Sequence, residues 1–343
     1  MKPVRINLAL QGGGAHGAYT WGVLDRLLEE DGIEIAAISG TSAGALNGAA
    51  FKAGMVSGGR QAARDNLDWF WGEISLMDDM NLGQWLTTFW PDSIKRSLRI
   101  FGQAAALDGL SRVFSPYDYG PFYVNPLRKI VEGLHFGHIC DAKGPRLYIS
   151  ATNVRTGKIR VFPTSEVTPD VLLASTCLPT VFKAVEIADP ATGKTEAYWD
   201  GGYAGNPALF PLYGQSLPKD IVIVNINPLR REELPTSAGE ILDRINEISF
   251  NSSLLSELRA INFVKRLIAQ DKVSEAAMKE VFVHMIADDA LMTTLPVDSK
   301  MLPAPGLIEM LKLAGRKAAA SFLDAHGDKL GRQGSVDLEA TYS

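Results

Sequence analysis

"IEIAAISGTSAGALNGAA", residues 33–50, holds the decision about the fold. The apolar run 33–40 ends in glycine and reads as a buried strand. Residues 43–54 are mostly Ala and Gly, which suits a helix packed closely on a sheet. Between them lies "GTSAG" (40–44), a G-x-S-x-G at a strand-to-helix junction. Such a junction must reverse sharply, which lifts the Ser42 hydroxyl above the sheet and leaves no room for side chains at Gly40 and Gly44. The N–H of Ala43, at the helix start, then faces any oxyanion formed on Ser42. An ordinary glycine-rich turn has the same local spelling, so the motif alone leaves both readings open.

Upstream, "VRINLAL" (4–10) is another short apolar run, followed by "QGGGAHG" (11–17). Gly12, Gly14 and Gly17 have the G-x-G-x-x-G spacing of a dinucleotide loop. Residues 18–31 place Trp21, Leu24, Leu27 and Leu28 at helical spacing, with Gly32 as the stop. A dinucleotide site would require a carboxylate at the tip of the second strand to hold the ribose. That strand ends "AISGTSAG" instead, which argues against a nucleotide-binding oxidoreductase. Strand, helix, strand, helix at short spacing favours a parallel α/β sheet.

Residues 58–140 break the rhythm and read as a helical cap with a dense aromatic cluster: Trp69, Phe70, Trp71, Trp85, Phe89 and Trp90. Aromatic helical stripes are usually core. A lid or a membrane-surface helix carrying Lys95, Arg96 and Arg99 is the competing reading. Strands are expected again at 146–154, 158–163, 180–187, 196–200 and 220–228, then helices over 237–330. Lys312, Arg316 and Lys317 read as a solvated face, and the polar tail "RQGSVDLEATYS" as frayed. The expected organisation is a catalytic domain over 1–230 and a helical extension over 231–343 packed on it.

The bulk numbers exclude several classes. The 343 residues carry a net charge of -5, with no basic bias toward nucleic acid. Two cysteines, Cys140 and Cys177, and five scattered histidines offer neither a disulfide framework nor a metal cluster. No signal-peptide pattern and no apolar stretch long enough to cross a bilayer is evident, so a cytoplasmic location is expected.

A serine nucleophile needs a base. His135, His138, His284 and His326 all lie downstream, and none has a local catalytic signature; His326 is the best of a weak set. "YWDGG" (198–202) offers Asp200 at a strand end, before two glycines that allow another backbone close approach. A plain D-G turn is the bland alternative.

Taken in order, "QGGGAHG", "GTSAG" and "DGG" resemble the patatin-like phospholipase family, most clearly over residues 4–56 and 146–228, and bacterial members most. The resemblance implies a three-layer α/β/α sandwich with a central, mainly parallel sheet. It implies a dyad of Ser42 and Asp200 that needs neither metal nor cofactor. An oxyanion hole is implied from Gly12, Gly13, Gly14 and Ala43, supported by His16, Gly17, Gly40, Gly44, Gly201 and Gly202. The implied substrate is a lipid or other acyl ester, and no oligomeric state is implied; transient contact with a membrane surface belongs to the competing reading of the aromatic helical region. One position departs from the pattern: His16 stands where the family usually has Arg or Lys. A loop-shaping hydrogen bond is the preferred role for His16. A Ser–His acyltransferase and a catalytically silent lipid-binding protein are the alternatives.

Overall fold

The computed structural model describes residues 2–79 and 115–342. Eight strands form one sheet: β1 (Val4–Leu10), β2 (Ile33–Thr41), β3 (Arg146–Asn153), β4 (Ile159–Pro163), β5 (Val185–Asp189), β6 (Lys194–Asp200), β7 (Asp220–Val224) and β8 (Phe282–Ile286). Their order is β5-β6-β3-β2-β1-β7-β8, with β4 also paired to β3. The segment from β3 to β8 is parallel, while β4 and β6 run antiparallel to β3 and β5 antiparallel to β6. The helices are α1 (Gly17–Leu27), α2 (Ala43–Asp79), α3 (Arg128–Gly133), α4 (Phe136–Ile139), α5 (Pro169–Ser175), α6 (Ala238–Ala269), α7 (Asp289–Met292), α8 (Pro305–His326) and α9 (Leu338–Tyr342).

The period of two in each strand divides the core. Leu8, Leu10, Val222 and Val224 face a cluster that includes Leu24, Leu46 and Leu311 from α1, α2 and α8. The alternate residues Ala9, Ile221 and Ile223 face Leu254, Leu258 and Leu338 from α6 and α9. Helices therefore cover both faces, and the architecture is the expected three-layer α/β/α sandwich.

The register of β3 is what brings distant motifs together. β4 occupies one edge of β3 over Tyr148–Thr152. Both β2 and β6 must therefore use the other edge. β2 runs parallel along it and ends with Thr41 opposite Ser150, while β6 runs the opposite way and ends with Asp200 opposite Ala151. Two strands thus meet head to head on consecutive residues of a third. Ser42 follows one strand end, and Asp200 is the other.

The C-terminal region is clamped to the N-terminal one. At the crossing of α1 and α8, a Cβ on Gly22 would strike the carbonyl of Lys312, and one on Gly315 would strike the carbonyl of Tyr19. Backbones approach this closely only where both helices lack side chains. Buried Asp25 on α1 bonds to Arg64 on α2 at 2.6 Å and to Arg316 on α8. Lys312 lies 3.8 Å from the centre of the Trp21 ring and pairs with Asp68 at 3.0 Å. Lys312 and Arg316 are thus structural ties, which corrects the expectation of a simple solvated face.

Other expectations shift. The strand expected at 180–187 is confined to Val185–Asp189, because the backbone N–H groups of Lys183 and Ala184 donate to the hydroxyls of Tyr123 and Tyr117 instead of to a neighbouring strand. The helical reading of 237–330 misses β8, which pairs along all of β7. The tail is tied down: His284 on β8 bonds Asp220 and Ser335, each at 3.0 Å, and Leu338 is buried against α6. In the cap, α2 breaks at Gly58–Gly59 and resumes, burying Phe70 and Trp71 in the core. Trp85, Phe89, Trp90, Lys95, Arg96 and Arg99 lie outside the described residues.

Candidate active site

Ser42 carries φ of +53°, in the left-handed region that a non-glycine residue enters at a cost of roughly 1–2 kcal/mol. Two contacts hold it there. Its N–H donates to Ser175 Oγ at 2.9 Å, and its carbonyl receives the N–H of Ala45 at 2.8 Å, opening α2. Gly40 and Gly44 flank the turn as the elbow geometry demands. A Cβ on Gly40 would sit 2.6 Å from the Gly44 carbonyl oxygen, and one on Gly44 would strike the carbonyl of Leu10.

Asp200 is fully enclosed. Its Oδ1 accepts the N–H of Gly202 at 2.7 Å, and its main chain is fixed by Thr152 Oγ1 and the Cys177 carbonyl, each at 2.8 Å. Burial pushes its carboxyl up to about 7, and the hydrogen bonds from Gly202 and the Ser42 hydroxyl offset part of that effect. Oδ2 is buried without completing a hydrogen bond. Its charge is felt nearby: burial first, and then Asp200, raise both the Cys177 thiol and the Tyr203 hydroxyl to about 12. Gly201 is required because a Cβ there would strike the Ser150 carbonyl, and one on Gly202 would crowd the Phe250 ring at 3.2 Å.

The glycine loop lies directly against the elbow. A Cβ on Gly12 would stand 2.5 Å from the Ser42 Cβ, and one on Gly17 would stand 2.6 Å from that of Ala43. An amide cage sets the loop's position. Gln11 Oε1 accepts the N–H groups of Ile226 and Asn227 at 2.8 and 3.0 Å. Asn227 Nδ2 donates to the Gly12 carbonyl at 2.8 Å, and Asn206 Oδ1 accepts the Gly12 N–H at 2.7 Å. That last bond corrects the expectation for Gly12: its N–H already has a strong acceptor and is not available to an oxyanion. The N–H groups of Gly13 and Gly14 meet no protein acceptor among the described residues.

His16 is not a cation here. Burial, and then the charge of Lys300, hold its imidazole down to about 3, and Nε2 bonds Ser299 Oγ at 2.7 Å. Its hydrogen bond ties the glycine loop to the segment around Ser299. Among the described residues no histidine hydrogen-bonds to Ser42. His326 packs against Phe322, His284 serves β7, and His135 and His138 contact each other.

Sequence reasoning missed Ser175, Asn206, Asn227 and Lys300. All act on residues far away in the chain, so no local spacing announces them. The nearest cue was "GGYAGNP", in which Asn206 lies four residues beyond Gly202, the end of the DGG motif.

A strained serine elbow on a three-layer α/β/α sandwich, beside a glycine loop and an enclosed aspartate, defines a class of serine-elbow proteins. The family is given by the sequence signature of the patatin-like phospholipases, which matches residues 8–213, more than half of the chain. This chain belongs to that family, one of lipid acyl hydrolases. No curated protein matches it. Among solved structures, it is similar to VipD from Legionella pneumophila, with 16% identity and a TM-score of 0.42 over 94% of this chain and 67% of that one. It is also similar to ExoU in its heterodimeric complex with SpcU from Pseudomonas aeruginosa, with 18% identity and a TM-score of 0.37 over 94% of this chain and 52% of that one. The chain thus spans about half the length of that second match.

Proposed function

We propose that this protein hydrolyses acyl esters of lipids through a dyad of Ser42 and Asp200. The observation that carries the reading is the head-to-head meeting of β2 and β6. It delivers a strained serine and a buried carboxyl, with its pKa raised to about 7, to adjoining positions on β3.

Ser42 Oγ attacks the acyl carbonyl while Asp200 takes its proton. A carboxylate in water is too weak a base for this; enclosure brings its proton affinity close to the working pH. The carbonyl oxygen, now negative, is received by the N–H groups of Gly13, Gly14 and Ala43. These donors are fixed in advance, which is what makes such a hole effective. Collapse of the tetrahedral intermediate expels the alcohol, which Asp200 protonates. Asp200 then deprotonates a water that attacks the acyl-enzyme, and passes that proton to Ser42 Oγ as the ester bond breaks and the fatty acid leaves. No step calls for a metal or cofactor.

The test is hydrolysis of a short p-nitrophenyl ester. Ser42→Ala and Asp200→Asn are each expected to lower kcat about a thousandfold or more while the protein stays folded. Full activity in Asp200→Asn, with loss in His326→Ala, would overturn the dyad in favour of a Ser–His enzyme. A fluorophosphonate probe is expected to label Ser42 alone. Hydrolysis of a phospholipid, lysophospholipid and neutral-lipid series, with varied chain lengths, then identifies the ester.

A further inference from the structure

Lys300 belongs to a short turn before α8, far in sequence from the glycine loop, yet it reaches that loop twice. Its carbonyl packs so tightly against Gly14 that a Cβ there would collide with it. Its ammonium Nζ donates to Asn227 Oδ1 at 2.9 Å. From Asn227 the polar contacts branch, the longer arm running from Nδ2 to Gln11 Oε1 at 3.2 Å and the shorter to the glycine loop. Nδ2 of the same carboxamide donates to the Gly12 carbonyl at 2.8 Å. That carbonyl belongs to the peptide unit whose nitrogen is the N–H of Gly13.

An amide is conjugated, so a positive charge at its oxygen withdraws electron density from its nitrogen and sharpens the attached N–H as a donor. The Asn227 carboxamide and the Gly12–Gly13 peptide are two such units joined end to end by a hydrogen bond. Chains of this kind polarise each other cooperatively, and more so away from water. Asn227 is fully buried. The field of Lys300 does reach the loop, since it helps hold His16 neutral. It also extends to Glu247. Burial would raise that carboxyl, but the hydrogen bond from Arg231 and the charge of Lys300 outweigh it. Glu247 is itself shared between Arg231 at 2.6 Å and Arg244 at 3.3 Å.

We propose that Lys300 is a positioning residue for the hydrolysis, acting through Asn227 and the Gly12–Gly13 peptide to strengthen the Gly13 N–H as an oxyanion donor. The inference rests on the Ser42–Asp200 reading and on Gly13 as a donor. It assigns an electrostatic part in the chemistry to a segment beyond the family-matched residues 8–213.

The test uses the full chain and a neutral p-nitrophenyl ester, so that attraction of a charged head group plays no part. Lys300→Met is expected to lower kcat about tenfold, less than the roughly 100- to 1,000-fold lost when an oxyanion donor is removed outright. KM should change little, since the effect is confined to the transition state. Fluorophosphonate labelling of Ser42 should slow in parallel. Lys300→Arg, which keeps the charge, should recover most of the loss. Because the effect runs through Asn227, Lys300→Met in an Asn227→Leu background should add little, whereas additive losses would refute the relay. Wild-type kcat in Lys300→Met, or a loss seen wholly in KM, would also overturn it. Should Lys300→Met not fold, Lys300→Gln reads the same charge with a neutral donor. These failures are distinct from failure of the dyad, which is read from Ser42→Ala in the same assay.

Discussion

At the scale of single residues, Asp200 sets the pH behaviour. Its carboxyl is raised from 3.8 to about 7, and the base must be ionised to act. The expected profile of kcat/KM therefore rises about tenfold per pH unit below 7 and flattens above it. His16 adds no second limb near 6.5, since it stays neutral down to about 3. Stability follows the opposite course. The folded state holds the Asp200 proton more tightly than the unfolded chain, so stability falls as pH rises from about 4 to about 7. Above that, the buried charge costs up to about 4 kcal/mol. Asp200→Asn should accordingly raise Tm at pH 8 and leave it nearly unchanged at pH 4, as followed by thermal unfolding. Ser175→Ala should have a different signature. It strips the acceptor from a strained N–H and should cost about 1–3 kcal/mol, together with part of kcat. The GTSAG, DGG and QGGGAHG motifs were legible in the sequence because each is a run of neighbouring residues, although the backbone that crowds Gly44 and Gly201 belongs to Leu10 and Ser150. Ser175, Asn206, Asn227 and Lys300 were not, because each serves a partner brought near only by the finished fold.

Among the elements, the crossing of α1 and α8 is the most exacting contact. Gly22→Ala and Gly315→Ala each drive a methyl into the facing backbone, with no flexible side chain to give way. Each is expected to cost about 3 kcal/mol or more in urea denaturation. Asp25→Ala, which leaves Arg64 and Arg316 with Glu29 as their shared carboxylate at 3.2 and 2.8 Å, should cost about 2 kcal/mol. The core helices and strands up to β3 were readable from periodicity, since apolar spacing reports burial. β8 was not: "FVHMI" is short, carries a histidine, and sits between helical stretches. Its strand character comes from β7 and from the Asp220 that satisfies His284, neither of which lies nearby in sequence. Charges on α8 were misread for a similar reason. Their spacing looks like a solvated stripe until α1 supplies Asp25 and Trp21 as partners.

For the molecule as a whole, the expected split into a catalytic domain over 1–230 and a packed extension is best tested by truncation. A chain ending at residue 230 loses β8, α8 and the loop contacts of Lys300. It is expected to lack a cooperative unfolding transition and to lack esterase activity, which thermal scans and the p-nitrophenyl assay would measure together. An active, cooperatively folded fragment would show instead that the C-terminal region is dispensable. The central place of β1 carries one more consequence, for the time course of synthesis. β1 is made long before β7, yet Asn7 pairs with Ile221 on one side. Until β7 leaves the ribosome, an apolar strand keeps one open edge, the kind of edge that recruits strands from other chains. Strand pairing across such a span is slow to form. The nascent protein therefore carries a sheet unfinished at the middle between the making of β1 and of β7, and the interval before residue 224 emerges is when a chaperone has most to protect.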